Sequence, residues 1–176
     1  MTPKGGRAAL ATRAAAEMIL AGAVLILGMM GSGCAYGLSG SLPAYLQTIR
    51  VSPFRSSVTE YGLEQELTSL VTEKLVMDGR LAIVTTGQDS ELAGTVAAWS
   101  RTPYSYTSAE QVEEYKLEIR MELTFTDLIA ESDILDKESI TTWIVYDPSA
   151  ESEQEARGRL LAEAAEEMVR RCLSGW

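Results

Sequence analysis

Catalysis most often starts from histidine, and this chain of 176 residues contains none. That removes His-based triads, His zinc sites and imidazole general bases together. Carboxylates are plentiful, with 25 Asp and Glu against 15 Lys and Arg and a net charge of −10. Glu113-Glu114 and Glu166-Glu167 are adjacent pairs whose side chains diverge on a strand or a helix, so they read as solvated surface. Asp127, Glu131, Asp133 and Asp136 lack the glycine and the spacing of a calcium loop and read as an acidic turn. No GxSxG, Walker A or GxGxxG motif occurs. We therefore expect no catalytic residue, no metal site and no cofactor. The acidic balance also excludes a nucleic-acid partner held by bulk positive charge.

Two cysteines supply no disulfide framework or Cys-rich metal site. Cys172 lies on a helical apolar stripe and reads as a buried, inert thiol. Cys34 stands elsewhere. Lys4, Arg7 and Arg13 precede the apolar run Ile19 to Met30, then Gly31-Ser32-Gly33 lead into Cys34. A basic stretch, a short apolar core and small residues before a break make a secretory signal over residues 1–33. Small residues before a cysteine resemble a bacterial lipobox, although Gly31 stands where Leu is usual. Met18 to Tyr36 is free of charge, so an uncleaved anchor is the alternative. On the lipoprotein reading Cys34 is the lipid attachment site. The mature chain would then carry 12 basic and 24 acidic residues, a net of −12. Residues 34–46 form a tether, and Ala35 in place of Asp favours the outer membrane.

Polar contacts with a partner are expected from a few residues. Tyr104 and Tyr106, beside Pro103, would make an aromatic contact patch or pack on their own domain. Lys116 and Arg120 are separated by an even number and should share a strand face. Arg101 on the preceding strand would join them in a basic patch, unless Glu118 and Glu122 simply neutralise it.

The elements that position these residues follow from periodicity. Residues 47–54 offer a short first strand closed by Pro53. Leu63, Leu67, Leu70, Val71 and Leu75 recur at helical intervals over 60–78, with Thr59 the expected N-cap and Gly79 the stop. Short strands are expected over 81–85 and 92–101, with 102–109 as a loop. Residues 115–125 alternate strictly, Tyr115 to Phe125 apolar on one side and Lys116 to Thr124 polar on the other. That is a sheet covered on one face only. A further strand spans 134–146, and a second helix spans 152–173, opened by a Ser152/Glu155 capping box. The fold class is α+β: two amphipathic helices on one face of a mostly antiparallel sheet of about four strands, in the order β-α-β-β-β-β-α. Residues 47–176 form one domain.

Set in this order, several segments resemble the LptE family of lipopolysaccharide-assembly lipoproteins. They are Ser41-Leu42-Pro43, Gln47-Thr48-Ile49, Pro53-Phe54, Gly62-Leu63-Glu64, Thr68 and Asp78-Gly79-Arg80. The series continues through Leu92-Ala93-Gly94, Pro103-Tyr104-Ser105-Tyr106, Glu114-Tyr115 and Phe125-Thr126-Asp127. Departures fall at Arg55-Ser56-Ser57 and Leu128-Ile129-Ala130. The resemblance implies a non-catalytic outer-membrane lipoprotein that plugs the LptD β-barrel, helps it assemble, and takes part in inserting lipopolysaccharide. A second reading is an outer-membrane lipoprotein that activates a peptidoglycan synthase. Such proteins use a long tether, whereas about eight to twelve residues here span no more than about 40 Å.

Overall fold

A computed structural model of the chain describes residues 42–174. The signal segment, Cys34 and most of the tether lie outside the described residues. The strands are β1 (Thr48–Val51), β2 (Arg55–Ser56), β3 (Ala82–Ile83), β4 (Ser90–Tyr106), β5 (Val112–Asp127) and β6 (Ser132–Tyr146). The helices are α1 (Leu63–Asp78), between β2 and β3, and α2 (Glu153–Ser174) at the end. The sheet runs β3-β1-β4-β5-β6, with β2 attached to β4. Its β4-β5-β6 part is an antiparallel meander, while β1 lies parallel to both β3 and β4, and β2 parallel to β4. The sheet is thus mixed and six-stranded, larger than the expected four or so. β3 falls within the strand expected over 81–85, and the unforeseen member is β2, two residues long and too short to show a period.

The alternation in β5 is realised as expected. Leu117, Ile119, Met121, Leu123 and Phe125 are all fully buried, and the residues between them face outward. They meet Leu63, Leu67, Val71 and Leu75 of α1 and the apolar stripe of α2, including Leu161, Ala165, Met168 and Cys172. Each of the Leu, Ile, Val, Phe and Met side chains among these contributes roughly 1.5–3 kcal/mol when fully buried. Among the described residues no helix is long and apolar enough to cross a membrane.

The helix ends differ from one another in how they are capped. Ser152 and Glu155 form the expected capping box: Glu155 N–H donates to Ser152 Oγ at 3.3 Å, and Ser152 N–H donates to Glu155 Oε2 at 2.9 Å. Thr59 does not cap α1. The N-cap is Gly62 at φ 80°, a left-handed conformation that glycine adopts without strain, and no side chain bonds there. Gly79 closes the helix at φ 73°, its N–H reaching Leu75 O. Two arginines join the helices. Arg157 of α2 reaches Glu60, Glu66 and Tyr61 O at the start of α1, and Arg80 reaches Leu173 O at the end of α2.

Segment 102–109 corrects the expectation of a loop. β4 continues to Tyr106 and forms a long hairpin with β5, turning at 107–111. Pro103 is tolerated because β1 and β2 pair with β4 no further than Val96. Beyond that point β4 has, among the described residues, β5 on one side alone, and the alternation of the ladder turns the missing N–H of Pro103 to the open side.

Candidate functional site

Among the described residues nothing covers the sheet face opposite the helices, and this bare face is where a partner has access. On β5 it carries Lys116, Glu118, Arg120 and Glu122, paired across to Val145, Trp143, Thr141 and Ser139 of β6. Lys116 and Arg120 do share this face, as their even spacing requires. Lys116 Nζ bonds Glu118 Oε2 and lies 5.1 Å from the centre of the Trp143 ring, a cation–π arrangement. Trp143 is 51% exposed. Arg120 makes no ion pair among the described residues.

Arg101 does not join them. A β-bulge lies between Val96 and Ala98, where the register with β5 passes from Met121 to Arg120. One extra residue reverses the alternation. Before the bulge Leu92 and Val96 face the helices; after it Trp99, Arg101 and Pro103 do, opposite Ile119, Leu117 and Tyr115. Arg101 therefore sits on the helix side. Its guanidinium stacks 3.5 Å from the centre of the Tyr115 ring, its Nε donates to the Tyr146 hydroxyl at 2.7 Å, and Glu153 of α2 lies 3.2 Å away. Tyr115 and Tyr146 are themselves stacked, 5.9 Å apart. This is a bracket between the hairpin and α2, and it is built to hold structure together.

Tyr104 and Tyr106 lie on the hairpin arm, 56% and 59% exposed, and do not pack into the domain. Three further residues of the bare face were missed by sequence reasoning. Trp143 was legible, since Ile140 and Ile144 face the core and the residue between in parity must face away. Arg55 and Lys137 were not, because one lies on a two-residue strand and the other in a bulge at φ 48°. Both line a groove of about 310 Å³ with Glu91, Thr95, Glu122 and Thr124.

The charged groups near the start of the sheet are structural. Burial pushes the Asp127 carboxyl up, but hydrogen bonds from the Tyr45 hydroxyl at 2.6 Å and from the N–H groups of Ala130 and Ile129 outweigh it, leaving it below the usual carboxylate range. Asp89 is also held low, by the N–H of Gln47 and the contacts of Thr48. Burial pushes the Cys172 thiol up to about 12, which makes it unreactive in the native fold.

Comparison with known proteins agrees with this architecture. Among solved structures, the protein CT253 of Chlamydia trachomatis matches with a TM-score of 0.57 at 9% identity, covering 73% of this chain and 96% of its own. Lipoprotein B of Nitrosomonas europaea matches with a TM-score of 0.53 at 13% identity, over 78% and 87%. Protein XCC0632 of Xanthomonas campestris matches at 0.53 and 14%, over 76% and 89%. At these identities the likeness is one of fold. No curated protein sequence matches. The sequence model of the LptE family, described as lipopolysaccharide-assembly, matches residues 46–173, nearly the whole of the described fold. The chain belongs to the LptE family.

Proposed function

We propose that this protein is a non-catalytic lipoprotein of the outer membrane, anchored through an acylated Cys34, that plugs an LptD-like β-barrel and assists its assembly. In that position it takes part in inserting lipopolysaccharide at the outer leaflet. The observation that carries the reading is the family match over residues 46–173. Two features of the surface support it. The bare sheet face and the Tyr104–Tyr106 arm leave polar and aromatic groups free to meet a barrel wall. The net charge of −10 gives no long-range attraction for a phosphorylated glycolipid. Contact with lipopolysaccharide would therefore be local, through Arg120 with Lys116 on one part of the face and Arg55 with Lys137 on the other. The bracketed Arg101 serves the fold instead.

Affinity purification from the native envelope tests the reading: an outer-membrane barrel should co-purify, and deletion should reduce surface lipopolysaccharide. Recovery of a peptidoglycan synthase without a barrel, or unchanged lipopolysaccharide export in a strict deletion, overturns it. Mass spectrometry of the mature N-terminus tests the anchor separately. A diacylated or triacylated Cys34 is expected; an unmodified residue upstream of it defeats the lipoprotein assignment.

A further inference from the structure

Among the described residues the sheet ends on β6, which has β5 on one side and no strand on the other. Ladder alternation assigns which backbone groups face the open side. Ser52 N–H donates to Leu92 O and Ser57 N–H donates to Val96 O, so the even-numbered residues of early β4 turn toward β1 and β2. Glu91, Ala93 and Thr95 then bond to Thr126, Thr124 and Glu122 of β5. This leaves Leu117, Ile119 and Met121 to bond Ile144, Thr142 and Ile140 of β6. Ser139, Thr141, Trp143 and Val145 therefore aim their N–H and C=O groups outward. The Arg159 guanidinium agrees, since it approaches Val145 O from that open side at 3.5 Å.

Segment 139–146 reads SITTWIVY, eight residues with no charge and no proline, nearly all β-branched or aromatic. Proteins ordinarily blunt such an edge with lysine, proline or a bulge, because unpaired strand groups recruit other chains. Here the protective devices stand toward its ends: Lys137 in its bulge on one side, and Asp147-Pro148 with Arg159 beside Val145 O on the other. Beside the edge lies an open trough of about 780 Å³ between β6 and α2. Glu163, Glu166 and Glu167 line it beside Thr142 and Trp143, together with the cations Lys74 and Arg170. Glu166 pairs with Lys74, and Glu167 with Arg170 and Arg171, while Glu163 has no ion pair among the described residues. Glu163 is thus the carboxylate left in excess, and a second copy related by a two-fold axis at Thr142 would bring two such carboxylates together without a counter-charge.

We propose that the β6 edge accepts an extended strand of a partner protein, with basic side chains turned toward α2 and apolar ones beside Trp143. Main-chain bonds to Thr141 and Trp143 supply affinity, and the Glu163 flank supplies selectivity. The probe is a fluorescein-labelled nine-residue peptide alternating Lys and Val, compared with its Glu/Val counterpart and with a scrambled Lys/Val sequence. With the full-length chain in non-ionic detergent, the alternating Lys peptide should bind at least about tenfold more tightly than either control by anisotropy. Hydrogen exchange in 139–146 should slow on binding. Thr141→Pro removes an outward N–H that β5 does not use, and should weaken binding about tenfold with the fold retained. Glu163→Lys should erase the preference for Lys over Glu. Equal binding of all three peptides, or unchanged exchange in 139–146, overturns the proposal. So does a dimer of the chain that Thr141→Pro converts to monomer. The exchange measurement uses the unaltered chain, so it decides the matter even where the proline variant fails to fold.

Discussion

Arg101→Met should break the bracket between the hairpin and α2, whereas deletion of Ala97 should leave it standing. Ala97 is the extra residue between Val96, opposite Met121, and Ala98, opposite Arg120. Without it Ala98 follows Val96 directly and the alternation runs on unbroken, so Trp99 stays opposite Ile119 and Arg101 opposite Leu117, on the helix side. The cost of losing the Arg101 side chain can be worked from its contacts. Stacking of Arg101 on Tyr115 is worth about 0.5–2 kcal/mol, and its bond to the Tyr146 hydroxyl about 0.5–1.5 kcal/mol. The exposed pair with Glu153 adds almost nothing. Together Arg101→Met should cost about 1–3 kcal/mol, which lowers a urea midpoint by about 0.5–1.5 M at an ordinary slope. Urea unfolding measures this. A double-mutant cycle of Arg101→Met and Tyr146→Phe should show coupling of about 0.5–1.5 kcal/mol, and the same coupling in the Ala97 deletion. Loss of that coupling on deletion would refute the assignment of Ala97 as the extra residue of the bulge.

Three other outcomes are expected. Gly94→Val should destabilise by about 1–3 kcal/mol in the same urea assay, because a Cβ there meets the buried Phe54 ring at 3.1 Å. Asp127 and Asp89 have folded pKa values below their unfolded values, so their contribution to stability is present above about pH 4 and is lost as pH falls through the folded values. Unfolding curves between pH 7 and pH 3 should therefore weaken at the acid end, and Asp127→Asn should flatten part of that fall. Cys172 should resist iodoacetamide at pH 8 in the native protein and react on unfolding, read by peptide mass spectrometry.

The strongest periods carried the fold. Six alternating apolar residues in β5 and the Leu63-Leu67-Val71-Leu75 series of α1 placed both layers before any coordinates, since each face has one way to be buried. What was not legible were departures from period. The residue beside Ala98 that turns Arg101 inward is an ordinary alanine, and nothing in its type marks a bulge. Pro103 argued for a loop because its tolerance depends on β1 and β2 ending at Val96, a fact of sheet order that no local window contains. The parallel pairing of β1 with β4 is equally non-local, joining Ile49 to Ser90. Of the five candidate contact residues, Lys116 and Arg120 fell where parity put them, Tyr104 and Tyr106 proved exposed on a strand arm, and Arg101 faced the helices.

The place of β1 between β3 and β4 bears on the order of assembly. Residues 90–174 form a meander and helix whose neighbours in space are neighbours along the chain, so that portion closes short loops and can form quickly. The 48–51 stretch must wait, because both of its flanking strands are synthesised after it. The part of the domain that leaves the ribosome first is thus the part that finds its place last. In the interval Ile49 is an exposed apolar segment that needs shielding until the 90–96 strand arrives beside it.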